Sequence, residues 1–461
     1  MIIFLKQQPQ LIKWWNMYKR NWVKPVGFLF IFFASSFFIK ARAQDTLSIE
    51  QAIGTALQNN YEIQLVKNDS ASAALDNSYT YAAFLPRLNA GAGANWNKNN
   101  QRQNFADGTK REQNGVRSSN LNSSINLNWT LFDGMKMFAT RDKIEEYLEL
   151  TELGIKNQVI NTVADVITTY YDIVRQKQQL KAIEELMSVR EDQVKLSQRK
   201  LDIGIGAKPD VLQGQVDLNA QKASQLKQIT LIAQLKQQLN QLMNVAEVAG
   251  YEVSDSIPVN TDLLLGDIIT NVEITNPGLL IAKKNIDIAE LTLKERKAER
   301  FPILSFNSAY NFSKTDNKTT VNPFSPLFNQ TKGFNYGFTT SIPILNNLNT
   351  RRQIKQAQLD IDYQEIVYKN QQAIISTSIL NAFKDYEFQK KALALEESNI
   401  SLAKENVYII TERYRLGVST FLELREAERS LEDAYNRLIA ARYNTKLAET
   451  ELLRLKGDLV K

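Results

Sequence analysis

Two glutamates one helical turn apart, Glu423 and Glu426, are the foremost candidates for chemistry in this 461-residue sequence. On a helix they point the same way. In a symmetric assembly they become stacked rings of carboxylates; on a lone helix they are a solvated face. Little else offers reactivity. With no histidine and no cysteine, the commonest zinc sites, thiol nucleophiles and every His-based triad or acid–base pair are excluded. A hydrolase working with two carboxylates needs paired acids on separate elements around a pocket, and nothing marks one. The six methionines are scattered and suggest no copper site. Gly204-Ile205-Gly206 starts like a dinucleotide fingerprint, but the third glycine is missing and no strand precedes it. No catalytic residue, cofactor or metal is expected, and the chain reads as a non-enzyme.

The net charge of +6 is misleading. Residues 1–43 carry seven basic side chains and no acid, so the remainder holds 49 basic against 50 acidic residues and a net charge of −1. A polyanion-binding protein keeps a basic surplus in its body, so nucleic acid is not an expected partner. The same 43 residues have the plan of a signal peptide. A charged stretch ends at Lys24, an apolar run extends from Val26 to Ile39, and Ala41-Arg42-Ala43 offers a small-x-small cleavage site. A membrane-spanning helix needs roughly 20 residues, more than this run supplies. The expected mature protein starts at Gln44 and is exported.

The elements that would position the two glutamates are long helices. Helix is expected over 48–81, 144–201, 211–243, 277–299, 350–416 and 422–456. Val159, Val166, Ile173, Leu180, Met187, Val194 and Leu201 recur every seven residues. A shift of 213 positions gives a second ladder, Gln372, Ile379, Tyr386, Leu393, Ile400, Val407 and Tyr414, and also brings Gly204 onto Gly417 and Asp210 onto Glu423. Agreement at one offset implies an internal duplication, and so sustained a heptad implies a left-handed supercoil. The expected domains are a signal peptide (1–43), a first helix–strand–strand–helix repeat (44–243), a linker packed as an equatorial collar (244–276) and a second repeat (277–461).

Period-2 alternation fills the sections between the helices. Leu88 to Trp96, Leu121 to Trp129, Leu304 to Phe312 and Phe334 to Ile342 set apolar residues against Asn, Gly and Ser. Each run is about ten residues, the length of a tilted transmembrane strand, with the apolar-out, polar-in pattern of an outer-membrane barrel. Trp96, Trp129 and Tyr310 would anchor the interfaces, and polar loops are expected at 98–120 and 313–333. Four strands cannot close a barrel, and an open edge cannot face lipid. Three chains supplying twelve strands would enclose a water-filled lumen. The expected fold is a mixed α/β membrane protein, a homotrimeric twelve-strand outer-membrane β-barrel continuous with a long periplasmic α-helical barrel. The alternative is an exported coiled-coil scaffold or adhesin without a pore.

In these features the sequence resembles the TolC-like outer-membrane factors of efflux and type I secretion systems. The resemblance covers the mature chain. It rests on the duplicated plan, on Phe84-Leu85-Pro86 and Phe301-Pro302 before the strands, and on Leu131-Phe132-Asp133-Gly134 after them. It rests also on Leu201-Asp202-Ile203-Gly204 running to Asp210, matched by Tyr414-Arg415-Leu416-Gly417 running to Glu423. The resemblance implies a passive exit duct in the outer membrane, docking to a periplasmic adaptor and an inner-membrane transporter. By the same resemblance, Glu423 and Glu426 hold the acidic rings of a gate, and Tyr414 pairs with Asp210 as its latch. Gly204, Ile205, Gly206, Ala207, Gly417, Val418 and Ser419 become the hairpin tips that contact the adaptor. A second latch, which in the family uses an arginine, is not matched here, where Ser419 and Pro209 stand.

Overall fold

A computed structural model describes residues 46–246, 251–322 and 324–459. The expected signal peptide and its cleavage site lie outside the described residues. Strand β1 (Thr46–Leu47), helices α1 (Ile49–Asn59) and α2 (Tyr61–Ser78) and a 3-10 turn (Thr80–Phe84) lead into strands β2 (Arg87–Asn104) and β3 (Lys110–Phe132). Helices α3 (Lys136–Asp202) and α4 (Lys208–Met243) follow as a long hairpin. After β4 (Glu252–Val253), α5 (Leu265–Ile269) and α6 (Val272–Thr275), the order repeats. Helix α7 (Pro277–Ala298) leads to β5 (Ile303–Asn317) and β6 (Phe328–Ser341), then to the hairpin of α8 (Asn349–Arg415) and α9 (Phe421–Lys456). None of the described helices is long and apolar enough to cross a membrane.

The two hairpins match in length. Helices α3 and α8 have 67 residues each and α4 and α9 have 36 each. At 1.5 Å per residue the longer pair extends about 100 Å. No rung of either heptad ladder is exposed, because the seven-residue repeat keeps one seam of the helix against its neighbours. Tyr170, Val166 and Ile173 of α3 form one core cluster with Leu239 of α4, Ala52 of α1 and Val253 of β4. Tyr386 and Ile379 of α8, Leu452 of α9, Leu279 of α7, and Ile268 and Val272 of α5 and α6 form another. Residues of the 244–276 segment thus pack into both clusters.

The same devices end corresponding elements in the two halves. Asn244 closes α4 and Gly457 closes α9, both in the left-handed region. Asn60 accepts from the backbone N–H groups of Glu62 and Ile63 and donates to the Leu242 carbonyl at 2.9 Å. Asn276 accepts from Leu279 N–H and donates to the Leu455 carbonyl at 2.8 Å. Each asparagine caps a short helix while satisfying a carbonyl that the end of a long helix would leave orphaned. The single helix expected over 48–81 is therefore two. At ψ 129° Asn60 leaves the helical region, and its side chain serves the break.

Strands β2, β3, β5 and β6 form one antiparallel sheet in that order. Opposed residues share a face, so the pairings Leu88↔Leu127, Ala94↔Leu121, Trp129↔Phe306, Tyr310↔Phe334 and Phe306↔Phe338 build one apolar face. The other face is laced by side-chain bonds: Asn128 to Asn307 at 2.6 Å, Asn307 to Thr339 at 3.0 Å and Ser313 to Asn122 at 2.8 Å. Strands of 18, 23, 15 and 14 residues correct the expected runs of ten. Most of 98–120 and part of 313–333, expected as loops, continue the ladders, since polar side chains on both faces cost a strand nothing in water. Edge strands β2 and β6 have no second neighbour among the described residues.

Candidate functional site

The tips of the two hairpins carry the residues singled out from the sequence. Helix α3 ends where Gly204, at φ 80°, lets its N–H reach the Leu201 carbonyl and Ile205 N–H reach the Lys200 carbonyl. Helix α8 ends the same way. Gly417, at φ 77°, bonds the Tyr414 carbonyl, and Val418 bonds that of Arg413. A side chain would be strained in this conformation, which is why glycine ends these helices. Gly206 is needed for a different reason: a Cβ there would lie 2.6 Å from the backbone nitrogen of Leu201.

The turns present Ile203, Ile205 and Val418 at 66–72% exposure, with Gly204, Ala207 and Gly417 also exposed. Ser419 is different. It is buried, its N–H bonded to the Arg413 carbonyl within the turn. In the single chain it lines the inside of the tip, beneath the exposed turn.

Helix α9 starts with a capping box. Thr420 Oγ1 accepts from Glu423 N–H, and Glu423 Oε2 accepts from Thr420 N–H at 2.8 Å. The Thr420 amide, with help from Ser419, holds the Glu423 carboxyl below the usual carboxylate range. The sequence signature of this box is T-x-x-E, Thr420 to Glu423. Glu423 and Glu426 are both exposed and share a helix face with Leu422.

The structure does not join Tyr414 to Asp210. Tyr414 is buried and its hydroxyl bonds Ser197 Oγ of α3 at 3.0 Å. Lys200 Nζ lies 3.8 Å from the centre of the same ring and donates to the Tyr414 carbonyl. Phe421 meets the ring edge-on. Among the described residues no hydrogen bond links Tyr414 with Asp210, which is half-buried at the first turn of α4. In one chain the tyrosine is drawn to α3 by Ser197 and by the cation–π contact with Lys200.

A buried polar cluster further up the hairpins escaped the sequence reading. Arg190 of α3 donates to Gln221 at 2.7 Å and to Glu432 at 2.9 Å, and its Nε lies 3.9 Å from Glu428. Arg425 of α9 pairs with Asp217 of α4 at 2.9 Å. Glu428 is 2% exposed, and burial, with Asp217 and Glu432 nearby, pushes its carboxyl up to about 7 against the pull of Arg190. Its position on α9 is four residues from Leu424 and three from Leu431, both buried. That spacing was the available signal.

The sheet has the apolar and polar faces of outer-membrane strands and is continuous with helices about 100 Å long. The profile of the outer membrane efflux protein family matches residues 52–246 and 268–458, and the chain belongs to that family. It is similar to outer membrane efflux protein BepC of Brucella suis biovar 1, 21% identical over 73% of this chain and 72% of that one. It is also 21% identical to outer membrane protein TolC of Vibrio cholerae serotype O1, over 85% and 86% of the two chains. The solved structure of the outer-membrane channel OprN superposes with a TM-score of 0.75 at 17% identity, covering 89% of this chain and 90% of that one. The chain is an outer-membrane protein of the TolC family.

Proposed function

We propose that this chain is one protomer of a homotrimeric exit duct for efflux or type I secretion. Substrate delivered by an inner-membrane transporter through a periplasmic adaptor passes along the helical barrel and leaves through a twelve-strand pore in outer-membrane lipid. The duct conducts passively and performs no enzymatic step. The observation that carries this reading is the four-stranded sheet whose edges β2 and β6 are open among the described residues, since unpaired backbone groups in lipid cost several kcal/mol each. Pairing β6 of one chain with β2 of the next removes the cost. A second unpartnered feature agrees. Phe388, Leu395, Leu402 and Ile409 recur every seven residues on α8, Leu416 at its C-cap continues the series, and all are exposed, with Leu395 at 67%. A heptad seam facing water in one chain faces a neighbour in an assembly. A poreless coiled-coil scaffold would leave the sheet without a role.

The matching halves support a duplication, with repeats at 44–243 and 277–461 around a collar at 244–276. The gate lies at the tips, where six hairpins converge. Glu423 and Glu426 form two rings of three carboxylates that favour cations. Gly204, Ile205, Gly206, Ala207, Gly417, Val418 and Ser419 form the adaptor contact, Ser419 from beneath the exposed turn. Tyr414 holds the hairpins together through Ser197 in one chain. Asp210 becomes its partner only if assembly turns the ring. Opening untwists the inner helices as the adaptor competes for these contacts.

The test is the mass of the detergent-purified protein with and without Leu395→Asp/Leu402→Asp. The wild type is expected to run as a trimer and the variant as a folded monomer. A wild-type monomer in mild detergent would overturn the proposal.

A further inference from the structure

We propose that the outer end of the sheet carries a cationic belt that binds phosphate groups of anionic lipid headgroups in the outer leaflet. This rests on the barrel reading above, which makes the apolar face of the sheet the lipid face. The chain enters and leaves the sheet at one end through α2, α3, α7 and α8, so the opposite end is the outer one. Along three of the strands the apolar run stops two residues before a cation on the same face. Lys98 follows Trp96 by two residues on β2, Lys314 follows Phe312 by two on β5, and Lys332 precedes Phe334 by two on β6. On β3 one serine intervenes in the series Leu121, Ser119, Arg117, and Arg117 lies opposite Lys98.

The ladders place these cations along one stagger, which strands tilted as in a barrel bring to a common level. In hydrogen-bonded rows, Trp96 lies opposite Ser119, Leu121 opposite Lys314, and Phe312 opposite Lys332. The outer limit of the apolar run therefore steps by two residues from each strand to the next, which is the stagger of tilted strands in a barrel. Three of the cations keep the same two-residue offset from that limit on their own strands, and Arg117 lies one same-face step farther out. One such step is roughly 6.6 Å of strand, which sets the charges beside the headgroups when Trp96 marks the interface. The inner end has no counterpart. The residues two positions beyond Leu88, Trp129, Leu304 and Ile342 are Pro86, Leu131, Pro302 and Ile344.

The charges are available. Asp316 pairs with Lys314 at 3.0 Å, but no carboxylate partner is found for Lys98, Arg117 or Lys332 among the described residues. Lys314 and Lys332 lie over the outward rings of Phe328 and Phe312 at 5.5 and 5.9 Å, so their stems follow the apolar surface and their heads reach its edge. Cations at that depth meet anionic headgroups, and three copies place a dozen around the proposed barrel.

Native mass spectrometry of the full-length detergent-purified protein, titrated with diphosphoryl lipid A, dephosphorylated lipid A or inorganic phosphate, tests the belt. Wild type should retain the phosphorylated lipid, with half-saturation weakened about tenfold or more in Lys98→Gln/Arg117→Gln/Lys314→Gln/Lys332→Gln. A Lys98→Arg/Lys314→Arg/Lys332→Arg variant should bind like wild type, and 1 M salt should weaken all phosphorylated binding. The neutral variant should keep its trimeric mass and conductance, because the belt is outside the lumen. Equal retention of dephosphorylated lipid, undiminished binding by the neutral variant, or full displacement by inorganic phosphate at equal concentration would overturn the proposal. A wild type that is not trimeric in detergent would instead remove the barrel reading, and the belt with it.

Discussion

Glu423 shows how one side chain can carry two roles that different substitutions separate. Its carboxylate closes the capping box of α9 and also supplies charge at the tip. Glu423→Gln keeps an acceptor for Thr420 N–H while removing the charge, whereas Glu423→Ala removes both. Single-channel records should show reduced cation selectivity in either variant, with added open-state noise from a frayed α9 only in the alanine form. Glu428 behaves oppositely because it is buried. Its folded-state carboxyl titrates at about 7 against 4.5 when free, so the folded protein holds a proton that the unfolded chain releases between those values. Stability should therefore fall as pH rises from about 4.5 to 7, by a few kcal/mol at most. Glu428→Gln should raise the thermal midpoint at pH 8 and change it little at pH 4.5. Equal shifts at both pH values would contradict the assignment. Glu423 and Glu426 were legible as a pair from spacing alone. Glu428 was not singled out, because its charge suggested a solvated face and only its neighbours on α3 and α4 reveal the cluster.

At the scale of elements, the helices were largely legible because a heptad fixes which face is buried, and every ladder rung proved sheltered. The break at Asn60 and the full strand lengths were not. Asn60 acts through the carbonyl of Leu242, 182 residues away, which no local pattern contains. The outer halves of β2 and β3 lack an apolar face and so gave no alternation to detect. The left-handed caps make a prediction of graded severity. Gly417→Ala strains the backbone at φ 77° but meets open space, and should cost about 1 kcal/mol. Gly457→Ala adds a Cβ 2.5 Å from the Thr275 carbonyl oxygen and forces α9 away from the start of α7. Its thermal midpoint should fall well below that of Gly417→Ala. Similar midpoints would show that the contact is softer than the structure places it.

For the whole molecule, the proposed trimer accounts for features that one chain leaves open. Among the described residues the sheet of one chain has two open edges and α8 an exposed heptad seam, and copies around a common axis would satisfy both. The polar face of the sheet and the acidic tips would then line one continuous path. The most direct test is conductance of the detergent-purified protein in a planar lipid bilayer. Wild type should give a small, cation-selective conductance, and Glu423→Gln/Glu426→Gln should lose most of that selectivity while still inserting. A trimer that inserts without conducting, or a protein that stays soluble without detergent and never inserts, would contradict the duct.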